Sequence, residues 1–230
     1  MNLNQRVVAM LRHPGNKNLH QFHADTFEGL PVMVEKGPFI REYLIDLKRT
    51  IDLAIEQYPR VLAFRVDLRL PSSTELDDHV FTNVLISRFI ASFKAKIQYN
   101  REKAREHSRR AHPSKVRYVW TREQGQRGLP HYHLLILLNR DAFYSVGRIH
   151  SEKTNIFRRM NEAWASALRL PVDQVDGLVE VPVNATYRMD RNAPSDESVL
   201  PALFRRSSYL CKSVTKVFGC GQHGFGCSNG

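Results

Sequence analysis

The chain has 230 residues, of which 42% are hydrophobic, 10% aromatic and 25% charged. This composition can bury a core, which excludes wholesale disorder, and no apolar run approaches the roughly 18 residues that span a bilayer. The net charge of +11 makes a polyanion the expected partner, and nucleic acid is the leading candidate.

The N-terminus and the cysteines bear on the compartment. The N-terminal sequence MNLNQRVVAMLRHPG lacks an unbroken apolar segment and a small-residue cleavage site, so secretion is not expected. Cys211, Cys220 and Cys227 are too few and too clustered for a disulfide framework. The sequence therefore predicts a protein of a reducing cytoplasm.

The first half of the chain predicts two helices and a strand. Residues 1–37 have weak periodicity and are interpreted as an irregular N-terminal extension. Apolar residues at helical spacing then predict a helix that ends at Pro59. Residues 61–70 alternate between apolar and charged side chains, which is typical of a strand. A long helix follows a capping box at residues 72–75 and fades into a basic segment.

The second half predicts a hairpin followed by more mixed structure. Residues 115–122 and 131–138 are predicted strands, and the glycines and proline between them favour a hairpin. A helix is expected over 151–169, and an edge strand containing Pro182 over 178–187.

The C-terminal part completes the fold prediction. A last helix is expected near 200–218, and the glycine-rich tail 219–230 is predicted to be flexible. From residue 61 the order is strand, helix, strand, strand, helix, strand, which is the split βαβ, ferredoxin-like arrangement. We therefore predict an α+β domain over 38–218, with a mainly antiparallel sheet and helices on one or both faces.

The predicted hairpin carries a candidate metal site. His131 and His133 are two apart in a strand, so both imidazoles lie on one face. A turn centred on residue 127 would place Glu123 directly across from His131, with β-carbons about 5 Å apart. Two imidazoles and a carboxylate are typical of a catalytic metal site. A one-residue slip would substitute Gln124, and the alternative is that both histidines are half-buried strand residues with local hydrogen bonds.

The last predicted helix carries a candidate nucleophile. On a helical wheel Lys212, Lys216 and Arg205 lie within about 60° of Tyr209. The opposite stripe is apolar and consists of Leu203, Leu210, Val214, Val217 and Phe218. Nearby cations would stabilise a phenolate and bind phosphate, so the tyrosine is predicted to lie on an exposed cationic face.

Basic side chains are concentrated between Lys94 and Arg122, a segment that contains ten Lys or Arg residues and only two Glu. The centre of this segment, which we call the basic strip, consists of Arg101, Lys103, Arg105, Arg109 and Arg110. It is interpreted as a phosphate-binding strip or as a solvated helix end with a basic loop.

Two weaker candidates remain. Arg65, Asp67 and Arg69 share one face of the strand at 61–70, where they would contact DNA, support an active site or form a surface row of ion pairs. The tail spacing Cys220-x-x-His223-x-x-x-Cys227 offers three zinc ligands without an assigned fourth, or belongs to a flexible tail.

These motifs resemble those of the HUH endonucleases, the rolling-circle replication initiators and their relatives. The resemblance rests on His131-Tyr132-His133 and, as in single-tyrosine members, on Tyr209 with Lys212. More narrowly, RVDLRLP, GLPHYHLLILLN and SYLCKSVTK resemble the YagK/YfjJ C-terminal and inovirus-type replication-protein group of phages and prophages. The resemblance covers about residues 38–218 and implies the HUH endonuclease fold.

The resemblance implies metal-dependent nicking and joining of single-stranded DNA through a 5′-phosphotyrosine intermediate. Tyr209 would be the nucleophile and Lys212 would position or neutralise the phosphate. His131, His133 and Glu123 would hold Mg²⁺ or Mn²⁺. The expected role is to initiate rolling-circle replication of a phage, prophage or plasmid in the cytoplasm of a bacterial host.

The expected partners are single-stranded DNA with an origin hairpin or nick site and a separate or host helicase and polymerase, because the sequence has no Walker-type loop. No membrane is expected to take part. Two alternatives stay open: a non-catalytic DNA- or RNA-binding regulator on the same fold, and a relaxase or transposase relative.

Overall fold

The computed structural model describes residues 11–72, 76–125, 128–147, 154–194 and 197–229. In these ranges the protein is a mixed α+β fold with antiparallel sheets and four α-helices. The helices are α1 (Arg41–Gln57), α2 (Val84–His107), α3 (Ile156–Leu168) and α4 (Leu200–Ser208). The strands are β1 (Arg12–His13), β2 (Asn16–Phe22), β3 (Thr26–Phe27), β4 (Leu30–Pro31), β5 (Phe39–Ile40), β6 (Arg60–Leu68), β7 (Arg117–Gln124), β8 (Pro130–Asn139), β9 (Val179–Glu180), β10 (Thr186–Asp190) and β11 (Phe225–Cys227).

The central sheet has the strand order β10-β6-β8-β7-β11, and β9 also pairs with β6. Every one of these pairings is antiparallel. The edge strand predicted over 178–187 is divided into β9 and β10, which lie on either side of Pro182. A proline has no N–H to donate to a ladder, so the interruption falls at an edge, where it leaves the central strands intact.

Strand β6 divides its side chains between two cores, as its alternating sequence predicts. Leu62, Phe64 and Val66 face one core together with α2 and α3. Val61 and Ala63 face the other core, which α1 and α4 cover. Helices therefore cover both faces of the sheet, and each fully buried large apolar side chain stabilises the fold by about 1.5–3 kcal/mol.

Two helices start later than their sequence patterns indicate. Helix α2 begins at Val84, after a short 3₁₀ turn at Asp78–Phe81, and most of the predicted capping box lies outside the described residues. Helix α3 begins at Ile156, where the Asn155 side chain accepts a hydrogen bond from the backbone N–H of Arg158. That bond satisfies one of the unpaired N–H groups of the first turn. None of the helices in the described ranges combines the length and apolarity needed to cross a bilayer.

The prediction that residues 1–37 are irregular is wrong from residue 12 onward. Strands β1, β2 and β5 form a small antiparallel sheet, and β3 and β4 form a hairpin. Phe27 and Val32 are buried in the core under α1 and α4, and His20 Nδ1 lies 2.7 Å from Glu42 Oε1 on α1. Most of these strands have only two residues, too few to show an alternating pattern.

The prediction that the tail 219–230 is flexible and without regular structure is wrong at Phe225–Cys227. Strand β11 pairs with β7 and extends the central sheet, and Phe225 stacks on Tyr43 of α1 with ring centroids 4.1 Å apart. A β-carbon at Gly226 would come within 2.7 Å of the Trp120 side chain. The glycines that suggested flexibility therefore include one that allows a strand to lie directly over an indole.

Candidate metal centre and active site

At one end of the sheet, the face that α1 and α4 cover changes from apolar to polar. His131 on β8 pairs with Glu123 on β7, and His133 lies between Thr121 on β7 and Asp67 on β6. The register predicted from a turn centred on residue 127 is therefore confirmed. Because pairs directly opposite each other share a face, this register brings the two imidazoles and the carboxylate together.

Glu123, His131 and His133 form a cluster that could hold a metal ion. One ligand atom from each residue lies within 4.8 Å of the other two. Glu123 Oε2 is 3.7 Å from His131 Nε2 and 3.6 Å from His133 Nε2, so three donor atoms converge on one point. Glu123 is only 4% exposed. Two imidazole nitrogens and a carboxylate oxygen suit a divalent cation that keeps open positions, so the donor set fits such an ion.

Asp67 and Arg65 lie behind this cluster. His133 Nδ1 is 2.7 Å from Asp67 Oδ1, and Arg65 donates a hydrogen bond of 3.3 Å to the same oxygen. A metal-binding histidine commonly uses its second nitrogen in this way, which fixes the ring and its tautomer. Both side chains are largely buried, which favours the supporting role over a DNA contact or a surface row of ion pairs, the three roles that the sequence left open.

The electrostatics of the cluster keep its carboxylates ionised. Burial acts to raise the pKa of Glu123, but the facing imidazoles of His131 and His133 and the ammonium of Lys216 outweigh it and hold that pKa well below its usual range. Burial also opposes ionisation of Asp67, yet the contacts with His133 and Arg65 lower its pKa. Ionised carboxylates are what a divalent cation requires.

Tyr209 lies directly beside the cluster. Helix α4 ends at Ser208, and a single 3₁₀ turn places the phenol edge-on to His133, with ring centroids 5.4 Å apart. Lys212 Nζ donates a hydrogen bond of 2.5 Å to the Tyr209 hydroxyl and lies 3.1 Å from Glu123 Oε2. One ammonium group therefore joins the candidate nucleophile to the candidate ligand set.

The predicted helix near 200–218 is wrong beyond Cys211, because α4 ends at Ser208 and the 3₁₀ turn that follows it ends at Cys211. The backbone of residues 212 and 213 instead bridges to Phe39 and Pro38. Val214 and Val217 are exposed, whereas the side chain of Lys216 is fully buried. Lys216 therefore does not lie on the exposed cationic face that the wheel predicted, where it would bind phosphate of DNA.

The segment after Tyr209 supplies three side chains that contact Glu123, namely Lys212, Thr215 and Lys216. Lys216 Nζ lies 3.6 Å from Glu123 Oε1 and has no hydrogen-bond partner among the residues that the structure describes. Burial lowers the pKa of Lys216 to about 8. Thr215, which the sequence did not single out, donates a hydrogen bond of 2.9 Å to Glu123 Oε1. No spacing in the sequence marks this threonine, since its contact depends on where the chain turns.

Arg69 and Arg205 are paired with acids outside the cluster, and the basic strip is remote from it. Arg69 pairs with Glu180 in an exposed ion pair, and Arg205 pairs with Glu35. The basic strip lies at the far end of the sheet, because Arg101 contacts the His112 carbonyl and the adjoining Pro113 carbonyl accepts from Asn139, the last residue of β8.

The cysteine and histidine set of the tail does not assemble. Among the described residues, the one cluster with the geometry of a three-ligand site is the Glu–His–His cluster. Cys220 is exposed, and Cys227 belongs to β11. The zinc interpretation of Cys220, His223 and Cys227 is therefore not supported.

The fold and the site define a mixed α+β protein with a candidate metal centre on the inner face of an antiparallel sheet. Residues 22–228 match the family model of the YagK/YfjJ C-terminal domain, and the chain belongs to this family. It is 34% identical to "Uncharacterized protein YagK" of Escherichia coli (strain K12) over 197 residues, which cover 84% of this chain and 94% of that protein.

A second relative from Escherichia coli (strain K12), "Uncharacterized protein YfjJ", is 32% identical over 203 residues. The match covers 85% of this chain and 98% of that protein. No solved structure matches the chain significantly.

Proposed function

We propose that this protein is an HUH-type endonuclease that nicks and rejoins single-stranded DNA through a 5′-phosphotyrosine and initiates rolling-circle replication of a phage, prophage or plasmid. One observation carries the proposal: Tyr209 and Glu123 share the ammonium of Lys212, beside two histidines that face the same carboxylate. A phenol, a cation and a metal-type ligand set are the groups that covalent phosphoryl transfer to a tyrosine needs.

The topology supports a ferredoxin-like arrangement for the domain. The order β6, α2, β7, β8, α3, β10 is the βαββαβ order of the split βαβ motif. Helix α2 connects β6 to β7, and α3 leads from β8 to β10. In neither case are the two strands neighbours in the sheet, whose order is β10-β6-β8-β7 and whose pairs are all antiparallel. Both connecting helices pack on one face of the sheet, which leaves the other face for the candidate site.

In the proposed reaction the Tyr209 oxygen forms a bond to the scissile phosphorus. The bond from phosphorus to the 3′ oxygen breaks, and that oxygen takes up one proton for the one the phenol loses. The protein stays joined to the 5′-phosphate, so the bond energy is kept for rejoining. The reverse attack by a 3′-hydroxyl restores the strand and the free tyrosine.

The surrounding residues have separate roles in this proposal. Lys212 stabilises the phenolate and binds a phosphate oxygen. Glu123, His131 and His133 hold Mg²⁺ or Mn²⁺, and a bound ion supplies polarisation of the phosphate. Asp67 orients the ring of His133 through the bond to its Nδ1.

The test is incubation with single-stranded DNA carrying candidate origin hairpins, in Mn²⁺ or in EDTA, followed by a denaturing gel. The expected result is a covalent protein–DNA band that needs the metal and is lost in Tyr209→Phe. Tyr99→Phe is the matched control, since Tyr99 is an exposed tyrosine on α2. Cleavage retained by Tyr209→Phe would assign the nucleophile to another residue, and binding without cleavage across origin libraries would favour a binding module.

A further inference from the structure

A basic groove lies at the end of the sheet opposite the Glu–His–His cluster. It has a volume of about 620 Å³ and is formed between the second half of α2 and the segment that leads into β7. Four cations line it, namely Lys94, Arg101, Arg105 and Lys115. Three of the four belong to α2, at spacings of seven and four residues, which places them along one side of the helix.

The charges in the groove are not neutralised. Within the described residues none of the four cations makes an ion pair with a carboxylate, and Glu102 is the one acid among the lining residues. By contrast, Lys103 of the basic strip points elsewhere and pairs with Glu106 at 2.9 Å. The groove therefore keeps a surplus of positive charge that its own side chains do not balance.

The cations also face one another. Burial lowers the pKa of Lys94, and the charge of Lys115 lowers it further. Burial and the charge of Arg105 act in the same way on the pKa of Arg101. Like charges held together in this way repel unless an anion lies between them.

Aromatic rings outside the groove lining contact two of the cations. The Arg101 guanidinium lies over the Phe143 ring at 4.5 Å, and Lys94 Nζ lies 5.0 Å from the centroid of the Tyr118 ring. Tyr58 closes one side, and its hydroxyl oxygen accepts a hydrogen bond of 2.9 Å from the backbone N–H of Lys115. Positions fixed by packing lose less conformational entropy when a ligand binds.

The groove is distant from the candidate nick site. Ser114, in the groove lining, accepts a hydrogen bond through its Oγ from the backbone N–H of Asn139. Asn139 ends β8, six residues from His133. At the rise of a strand this separation is about 20 Å. That length corresponds to about six base pairs of B-form DNA.

We propose that this groove binds consecutive backbone phosphates of a DNA substrate at a second contact point, remote from the nick site. The inference rests on the proposed function for the identity of the polyanion as DNA. The groove makes no base-specific contact in this proposal, so it adds affinity and orientation, and the sequence preference arises elsewhere. Its contribution depends on the length of the DNA, because a short strand at the nick site cannot reach it.

The test compares two triple variants of the full chain that remove the same charge. The groove variant is Lys94→Gln with Arg105→Gln and Lys115→Gln, and the control variant is Lys103→Gln with Arg109→Gln and Arg110→Gln. All six residues are exposed, so both variants are expected to fold. Binding of fluorescent single-stranded DNA that is long enough to span the domain is measured by anisotropy in EDTA, where no cleavage occurs.

The groove variant is expected to bind this DNA about tenfold more weakly, with a salt dependence reduced by about two counterions for three lost phosphate contacts. The control variant is expected to lose much less. Equal losses of affinity in both variants would show that DNA binds a diffuse basic surface, and would contradict the proposal. A groove variant that binds DNA as tightly as the wild type would also contradict it. Binding of labelled polyglutamate with the same dependence on the groove would identify an acidic peptide as its occupant and contradict the proposal.

A second measurement separates this inference from the proposed function. Cleavage of an oligonucleotide too short to reach the groove, in Mn²⁺, is expected to be unchanged in the groove variant. Cleavage absent from every protein, including the wild type, would contradict the nicking function and leave the comparison of binding intact. Cleavage of the short strand lost in the groove variant alone would contradict a remote role for the groove.

Discussion

His133 Nδ1 lies 2.7 Å from Asp67 Oδ1, across two neighbouring strands of the central sheet. This contact orients the opposite nitrogen, Nε2, toward Glu123 Oε2 at 3.6 Å. Asp67 therefore acts on the candidate ligand set through His133 and has no direct place in it. We therefore expect the affinity of the cluster for a metal ion to depend on a residue that lies behind it.

Replacing Asp67 by alanine is expected to weaken Mn²⁺ binding 10- to 100-fold, since a second partner of this kind fixes the ligand ring. Isothermal titration calorimetry on the folded protein measures the change without relying on cleavage. Asp52→Ala is the control, because Asp52 pairs with Lys48 on the surface of α1. Equal affinities of the Asp67 variant and the wild type would refute this role.

Glu123→Gln is expected to destabilise the protein as well as abolish metal binding. The carboxylate is 4% exposed and lies near Lys212 and Lys216, so its loss leaves buried positive charge without a partner. Breaking a buried pair from one side costs about 3–5 kcal/mol in the free energy of unfolding. Urea unfolding at neutral pH measures this cost.

The matched control for that variant is Glu180→Gln. Glu180 pairs with Arg69, and both side chains are more than half exposed. An exposed pair of this kind contributes at most about 1 kcal/mol. Similar losses of stability in the two glutamine variants would mean that Glu123 is not held by the buried lysines.

Lys212→Met is expected to separate catalysis from metal binding. The variant loses the ammonium that contacts the Tyr209 hydroxyl, and loss of one such electrostatic contact costs about 10²–10³ in rate. Mn²⁺ affinity is expected to rise, because a cation 3.1 Å from Glu123 Oε2 no longer competes with the metal. Single-turnover cleavage and calorimetry measure the two effects.

Arg205→Gln provides the comparison for Lys212. The sequence placed Arg205 near Tyr209, but the structure pairs it with Glu35 at 2.8 Å. We expect it to change neither the rate nor the affinity. A Lys212 variant with weaker Mn²⁺ binding than the wild type would contradict competition between the ammonium and the ion.

Tyr43 is expected to make the docked tail sensitive to alkaline pH. Burial raises the pKa of Tyr43 to about 12, and Phe225 of β11 stacks on its ring. A pKa that is raised in the folded state contributes stability that is fully present below pH 10 and is lost as the pH rises through about 12. Unfolding measured in this window is expected to show a smaller loss in Tyr43→Phe than in the wild type. Burial also raises the pKa of Tyr118, Tyr132 and Cys211, and their contribution is common to both proteins.

A direct titration checks the same contact. Phe225→Ala removes the stacked ring, so we expect the pKa of Tyr43 to move back toward 10, as followed by phenolate absorbance against the Tyr43→Phe background. An unchanged titration in Phe225→Ala would show that the tail does not bury Tyr43.

The sequence by itself determined the parts of the site that depend on neighbouring segments. Strand alternation placed His131 and His133 on one face, and a short turn set the register that brings Glu123 opposite His131. These relations are local, because few residues separate the strands and the period of a strand is two. The end of the first predicted helix before Pro59 and the edge position of the strand around Pro182 also follow from local sequence, because proline has no N–H to donate.

Only the tertiary structure decided the relations between distant segments. Asp67 contacts His133 because β6 pairs with β8. The 24-residue helix α2 lies between these strands in the sequence, so their register depends on how the whole domain packs. The wheel that placed Lys216 on the surface assumes a continuous helix, whereas the chain turns after Ser208 and buries that side chain beside Glu123. Strand β11 likewise exists because β7 offers it a free edge and Trp120 a surface, and no period in its own three residues could show this.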